Sequence, residues 1–171
     1  MLKAKIISSL DKVFLDSEYA AFAQVKGMTV FENQRISLQI LVCDFDSNVP
    51  HRRFAPLSCS GIAPEAVTFR MVDLVPSWMP VYPGRYDEGY VRTAPGLYPD
   101  LLSPMQMGCS VPVVNRQCRT VWVDIDLSVL SKDQIKAGDN KLTFVLADSL
   151  GIVELPFVVQ VIAECLPEVD F

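Results

Sequence analysis

In Val121-Trp122-Val123-Asp124-Ile125-Asp126-Leu127, every odd position is aliphatic while two even positions are aspartates. Side chains alternate between the two faces of a β-strand, so this pattern predicts a strand with one buried face. Residues 35–42 and 65–73 repeat the alternation with Ile, Leu, Val, Phe and Met on one face. These three segments predict a protein built mainly from strands.

Two long apolar segments near the end of the sequence predict a β-hairpin. Residues 141–147 and 153–164 are rich in Val, Ile, Leu and Phe, and a short polar link that ends in Gly151 joins them. Pro156 lies inside the second segment. Because proline has no amide hydrogen to donate to a neighbouring strand, we expect it at a sheet edge, a bulge or a strand break.

The opening residues fit two patterns. Apolar side chains recur at helical spacing from Leu2 to Val13, whereas the alternation of Lys3 and Lys5 with apolar neighbours fits a strand. Periodicity leaves both alternatives open for this segment.

Prolines and glycines concentrate between Pro76 and Pro112, which predicts a long structured loop region without long regular elements. Short strands with turn signals between them are typical of two packed antiparallel sheets. The fold class predicted is therefore all-β, an antiparallel β-sandwich of immunoglobulin or jelly-roll type with a long proline-rich loop region. We expect one sandwich domain over residues 1–166, with residues 167–171 beginning a linker to a further C-terminal domain.

Composition excludes several classes of partner. The chain has 171 residues, of which 50% are hydrophobic, and a formal net charge of -5, so a broad basic surface for nucleic acid is not expected. No run approaches the roughly 20 apolar residues of a membrane-spanning helix, and the first residues lack the apolar core of a signal peptide. We therefore expect no nucleic acid, no membrane partner and a cytoplasmic location.

The cysteines and the single histidine offer no metal or cofactor site. The five cysteines are Cys43, Cys59, Cys109, Cys118 and Cys165. They form no CxxC pair, and their odd number favours reduced, mostly buried thiols. His51 has no cysteine or second histidine at ligand spacing, and no glycine-rich phosphate motif occurs, so neither a metal nor a nucleotide cofactor is predicted.

No catalytic residues are predicted. Asp124 and Asp126 lie on the same face of one strand, about 6–7 Å apart, a separation that overlaps that of glycosidase carboxylate pairs. Any D-x-D on an exposed strand gives the same geometry, so a solvated outer face is favoured for both side chains. With His51 as the only histidine, an activated serine or cysteine nucleophile is not expected either.

The aromatic and basic side chains of the loop region are the candidate functional residues. They are Trp78, Tyr82, Arg85, Tyr86, Tyr90 and Tyr98. Such side chains pin a long loop onto its own domain, anchor a contact with another domain, or stack on sugar rings. The sequence leaves these three alternatives open.

Four segments in this order resemble the N-terminal β-sandwich domain of glycoside hydrolase family 123 and its bacterial relatives. They are Ile7-Ser8-Ser9-Leu10-Asp11-Lys12-Val13-Phe14, Glu32-Asn33-Gln34-Arg35-Ile36-Ser37-Leu38-Gln39, Pro95-Gly96-Leu97-Tyr98-Pro99-Asp100-Leu101-Leu102 and Val121-Trp122-Val123-Asp124-Ile125. The resemblance implies that the opening segment is a strand and that a (β/α)₈ barrel follows the sandwich. It also implies that the catalytic Asp-Glu pair belongs to that barrel.

The function expected from this resemblance is that of a non-catalytic accessory domain. It would pack against its own C-terminal barrel, within a protein that acts on N-acetylhexosamine glycosides. The alternative is a stand-alone carbohydrate-binding module, in which exposed aromatic rings capture a glycan. A free-standing enzyme would need converging titratable groups in a cleft, which the sequence does not provide.

Overall fold

The computed structural model describes residues 2–45, 52–82, 84, 88–105 and 110–167. Ten strands run through them: β1 Leu2–Ser8, β2 Gly27–Phe31, β3 Arg35–Asp44, β4 Arg52–Ser60, β5 Val67–Ser77, β6 Gly96–Pro104, β7 Ser110–Val114, β8 Cys118–Asp126, β9 Gly138–Asp148 and β10 Gly151–Ile162. Three short 3₁₀ turns lie at Tyr19–Ala21, Pro64–Ala66 and Leu127–Val129. Within the described ranges, no helix is long and apolar enough to cross a membrane.

The strands form two five-stranded sheets. Sheet 1 has the order β1-β3-β8-β5-β6 and sheet 2 the order β2-β10-β9-β4-β7. All strand pairs are antiparallel except β2 with β10, which run parallel. The predicted β-sandwich is confirmed, and the parallel β2 is the one departure from a purely antiparallel arrangement.

The core lies between the two sheets. Val121, Val123 and Ile125 of β8 are fully buried, as the apolar alternation of residues 121–127 predicts. They face Phe144 and Phe157 of the β9–β10 hairpin, which belong to the same apolar cluster. Each large apolar side chain buried in this way contributes about 1.5–3 kcal/mol, which is why one-face alternation is enough to hold the sheets together.

Pro156 lies on an open edge of β10, as expected from its missing amide hydrogen. It pairs with Thr143 of β9 on one side. On the other side the pairing with β2 starts only at Val158, whose amide donates to the Lys26 carbonyl at 3.0 Å. Because residues 156 and 158 direct their amides to the same side, the proline occupies a position at which no strand needs a donor.

The opening segment is a strand, so its helical alternative is wrong and the expectation from the resemblance is confirmed. β1 pairs antiparallel with β3 along its whole length, from Leu2 opposite Asp44 to Ser8 opposite Leu38. The following residues, 9–25, then pack Val13, with Tyr19 and Phe22 beside it, onto the outer face of sheet 1.

The proline-rich loop region is shorter than predicted. Residues 76–112, which the prolines and glycines predict to be irregular, include the end of β5, all of β6 and the first part of β7. β6 is an edge strand that pairs only with β5, so Pro99 and Pro104 do not have to donate to a second neighbour. The pairing of β5 with β6 shifts register between Asp73 and Leu74. Residues 78–95 connect the two strands.

Two of the five cysteines form a disulfide, which corrects the prediction of reduced thiols. Cys43 of β3 and Cys118 of β8 are opposite each other in the ladder, with their Cα atoms 4.7 Å apart. Both are buried beneath residues 9–25. Cys59 is free and burial raises the pKa of its thiol to about 11, while Cys165 is free and exposed. Cys109 and His51 lie outside the described residues.

Candidate functional site

The aromatic candidates fall into two structural groups. Trp78, Tyr82 and Tyr90 expose 80%, 71% and 47% of their surface, whereas Tyr98 is partly buried. The candidates Arg85 and Tyr86 lie outside the described residues. The structure therefore separates the solvent-facing aromatic side chains of Trp78, Tyr82 and Tyr90 from Tyr98, which lies within β6.

Tyr98 holds the end of the β5–β6 connection in place. Its hydroxyl donates its one hydrogen to the carbonyl of Ala94 at 2.8 Å, with the carbonyl of Arg92 also within reach at 3.1 Å, and its ring meets Phe14 edge-on at 5.5 Å. The Arg92 guanidinium lies 3.9 Å from the centre of the Phe14 ring and donates to Asp16 at 2.5 Å. This hydrogen bond holds the pKa of Asp16 below its usual value. Tyr98 thus packs onto its own domain.

The distal part of the β5–β6 hairpin carries exposed apolar side chains, here called the arm residues. They are Val75, Trp78, Met79, Tyr82, Val91 and Leu97. Contiguous exposed apolar patches mark interaction sites, so these side chains are candidates for such a surface.

A groove lies beside the arm on the outer face of sheet 1, and two cavities compose it. The first, of about 540 Å³, is lined by Phe14, Ser77, Tyr90, Arg92 and Tyr98 among others. The second, of about 370 Å³, is lined by Leu10, Gln39, Val72, Leu102 and Trp122 among others. Lys12 and Asp100 line both cavities and form an ion pair with each other. The groove therefore brings aromatic rings to both sides of one charged pair.

The wall of the second cavity is held by Gln39. Its side-chain amide donates to the carbonyl of Asp11 at 2.7 Å, and the carbonyls of Ser8 and Ser9, at 3.3 Å each, share its second hydrogen. Gln39 is itself 3% exposed, so one buried side chain of β3 holds the end of β1 and the loop that follows it. The loop thus forms a wall of the cavity that hydrogen bonds within the protein hold in place.

Trp122 forms part of the floor of this cavity, and Asp124 orients it. The indole Nε1 donates to Asp124 Oδ1 at 2.9 Å, and Asp124 also accepts from Ser37 Oγ at 2.5 Å and from the Arg70 guanidinium. Burial acts to raise the pKa of Asp124, but these hydrogen bonds and the Arg70 charge outweigh it and hold the pKa below its usual value. The indole N–H is therefore committed to the protein.

The prediction that Asp124 and Asp126 share a solvated outer face is wrong for Asp124. Both lie on the outer face of β8, but Asp124 is only 6% exposed because Ser37, Trp122 and Arg70 surround it. Asp126 instead caps the following 3₁₀ turn, accepting from the backbone N of Ser128 at 3.0 Å. Each carboxylate thus has a structural role. Within the described residues, no group of three or more His, Cys, Asp or Glu side chains could hold a metal ion.

Trp122 was missed as a candidate site residue, although the sequence contains a signal for it. It stands among the polar positions of β8, opposite in direction to Val121 and Val123. A tryptophan on the face away from the core requires either a covering segment or a ligand. The alternation along β8 does not show which residues surround Trp122.

We expect Asp124→Asn to lower the free energy of unfolding by about 2 kcal/mol at pH 7, because a buried, charged acceptor of hydrogen bonds from Ser37, Trp122, Arg70 and Arg35 becomes neutral. The folded-state pKa is depressed, so this contribution is present above the unfolded pKa of about 3.9 and is lost as the pH falls through the folded value. Urea unfolding at pH 7 and pH 3 measures the difference, which should shrink at pH 3. The exposed Asp133→Asn is the control, and an equal effect of both variants would contradict the buried network.

No protein-family profile matches the chain, and no curated protein matches it either. Among solved structures, a family 123 glycoside hydrolase from Clostridium perfringens, studied for glycolipid glycan hydrolysis, aligns with a TM-score of 0.68 at 12% identity. The alignment covers 98% of this chain and 28% of that enzyme. This chain therefore has the fold of a portion of a larger hydrolase and spans less than a third of its length.

Two further solved structures align with lower scores. The fimbrial subunit AggA from Escherichia coli has a TM-score of 0.37 at 12% identity, covering 95% of this chain and 96% of that one. A type I cohesin of ScaB from Pseudobacteroides cellulosolvens has a TM-score of 0.29 at 9% identity, covering 86% and 94%. Identities this low concern the fold alone.

Proposed function

We propose that this chain is a non-catalytic accessory domain of a larger glycoside-hydrolase-like protein, and that it packs against a (β/α)₈ barrel in the same polypeptide. The observation that carries the proposal is the alignment of nearly the whole chain, 98%, with only 28% of the family 123 hydrolase. The sequence resemblance to the N-terminal sandwich of that family agrees with it. The predicted domain boundary at residue 166 belongs to this proposal.

The arm residues supply the docking surface. Trp78 and Tyr82 are among the most exposed large apolar side chains described, at 80% and 71%. Tryptophan and tyrosine are enriched among the residues that dominate binding energy at protein interfaces. Because β6 is at the edge of sheet 1, a contact made by these exposed side chains would not disturb the core.

The carboxylates of β8 support an accessory role. Asp124 is enclosed by Ser37, Trp122 and Arg70, and Asp126 caps a turn, so neither is placed as an acid or base beside an open cleft. A glycosidase needs two carboxyl groups on either side of a sugar. In the proposed protein the barrel supplies them.

The coding sequence downstream of Phe171 gives the first test. We expect several hundred further residues with alternating strand and helix patterns, since barrels of this kind take about 250 residues. A stop codon directly after Phe171 would overturn the proposal and favour a stand-alone module.

A matched set of variants tests the docking surface. Trp78→Ala should change the unfolding free energy of the isolated chain by less than about 0.5 kcal/mol, because the side chain is 80% exposed, yet should weaken its binding to the separately produced barrel about tenfold or more. Tyr98→Ala should destabilise the isolated chain by about 2 kcal/mol, because it removes the hydrogen bond of the Tyr98 hydroxyl to the backbone and a ring contact with Phe14. Urea unfolding and titration calorimetry measure the two effects.

The control for an exposed apolar side chain away from the arm is Ile152→Ala in β10, at 68% exposure. It should alter neither stability nor binding to the barrel. Equal barrel affinity of Trp78→Ala and wild type would contradict docking through the arm.

A further inference from the structure

We propose that the groove on the outer face of sheet 1 binds a neutral oligosaccharide, with Trp122 as the stacking platform. This inference goes beyond the accessory role. The groove and the arm adjoin at Val91, which lines the first cavity, but Trp78 and Tyr82 are not among the described residues that line either cavity. The two proposals therefore stand or fall on different measurements.

The platform is fixed in advance. The Trp122 indole is held by its hydrogen bond to Asp124, and that carboxylate is itself held by Ser37 and Arg70. With its N–H committed, the part of the indole that borders the cavity offers a ligand only an apolar ring surface. Such a surface suits the C–H face of a pyranose, and a ring that is already fixed loses little entropy on binding.

The polar groups stand where the two cavities meet. Lys12 and Asp100 are 42% and 51% exposed, so the ammonium and the carboxylate have remaining hydrogen-bonding capacity toward solvent. Neighbouring sugar hydroxyls both donate and accept, so they are able to bond to such a pair at the same time. Tyr90 lies on the far side of this pair, in the first cavity. This order of aromatic ring, charged pair and aromatic ring fits an oligosaccharide better than a single sugar.

The charge of the lining favours a neutral ligand. The charged side chains among the described lining residues are Asp11, Lys12, Arg92 and Asp100, two cations and two anions. Lys12 is paired with Asp100, and Arg92 with Asp16. A phosphate or a sialylated glycan would require an excess of cations, which these residues do not offer.

The volume and the polarity of the groove also suit a neutral oligosaccharide. Cavities of about 370 and 540 Å³ lie within the size range of small-ligand sites. Apolar walls from Val72 and Leu102 alternate with the polar loop after β1, which Gln39 holds. Proline-rich peptides also bind in aromatic grooves, and they are an outcome that the experiment separates.

The test uses the whole chain and Trp122 as its own reporter. Trp78 and Trp122 are the only tryptophans, so Trp78→Phe leaves Trp122 as the sole indole. We expect triacetylchitotriose, cellotriose or lacto-N-tetraose to change the Trp122 emission with a dissociation constant of about 1 mM or below. Calorimetry on the wild-type chain should give the same constant.

Two variants probe the groove. Trp122→Phe keeps a flat ring and should weaken binding several-fold, while Trp122→Ala should weaken it about tenfold or more. Both Trp122 variants remove a hydrogen-bond donor from Asp124. Asp100→Ala leaves that buried network intact and should also weaken binding about tenfold. The control Ile152→Ala should leave binding unchanged.

Three results would overturn the proposal. One is that none of the three oligosaccharides changes the Trp122 emission at concentrations up to about 10 mM, ten times the expected dissociation constant. Another is tighter binding of 3′-sialyllactose or inorganic phosphate than of neutral glycans. The third is binding of a decaproline peptide that the oligosaccharides do not displace.

Discussion

Arg53→Ala should lower the free energy of unfolding by about 3–5 kcal/mol, because it removes the cation from a buried group of three charges. Arg53 of β4 lies in sheet 2, and its Nη2 is 2.8 Å from Asp44 Oδ2 at the end of β3 in sheet 1. Its Nε is 3.0 Å from Asp148 Oδ2 at the end of β9. The three side chains expose 7%, 2% and 0% of their surface, so solvent hardly screens them.

The cost arises from what the substitution leaves behind. Without the guanidinium, two carboxylates remain buried beside each other at the end of the sandwich, which is expensive unless they take up protons. Denaturant unfolding at pH 7 measures the effect. The triple variant Arg53→Met, Asp44→Asn, Asp148→Asn removes all three charges and should recover a large part of the loss, because no unpaired charge stays inside.

Lys141→Ala, which removes an exposed charge from the neighbouring β9, is the matched control and should change stability by less than about 0.5 kcal/mol. An Arg53→Ala effect as small as that of the control would show that the group of three charges does not hold the two sheets together.

Loss of the Cys43–Cys118 disulfide should cost about 2–4 kcal/mol of stability, because the bridge closes a loop with a sequence separation of 75 and so restricts the unfolded chain. The bridge also joins two central strands of sheet 1 beneath residues 9–25. We expect the double variant Cys43→Ala, Cys118→Ala, and the wild type in dithiothreitol, to unfold at lower urea concentration by the same amount.

Cys165→Ser changes an exposed free thiol and should leave stability unchanged. Alkylation of the denatured but unreduced chain, followed by intact mass, should leave Cys43 and Cys118 unlabelled. Labelling of all five thiols would contradict the disulfide. Because disulfides persist in oxidising compartments, an oxidised pair in protein isolated from its native cells would speak against the cytoplasmic location that the sequence predicts.

The wall and the floor of the groove illustrate how far a candidate site is predictable. Tyr90 and Tyr98 were identified because aromatic residues in a proline-rich segment stand out. Trp122 and Gln39 were not identified. Trp122 is oriented by Asp124 on the same strand, and Gln39 holds a loop that passes over sheet 1. Spacing along one strand shows which face a side chain occupies, but what covers that face depends on residues far away in the sequence.

β4 shows the same limit for the fold. Ala55 and Leu57 are buried while Phe54 is 53% exposed, and the buried side of the strand includes Arg53. A strand that turns a phenylalanine outward and an arginine inward has no recognisable apolar face in its sequence. Arg53 is stable when buried because Asp44 of β3 and Asp148 of β9 neutralise it. No pattern within β4 predicts that pairing.

Alternation of apolar and polar residues is a local property with a period of two, so it was sufficient to predict the sandwich, the central strand β8, the strand β3 and the β9–β10 hairpin. Long-range packing sets the pairing of the opening segment with β3, the parallel direction of β2 beside β10, and the contact of Cys43 with Cys118. It also sets the proline-bearing edge strand β6 and the groove around Trp122. Each of these depends on which distant strand or loop becomes a neighbour, and that choice is made by the packing of the whole chain.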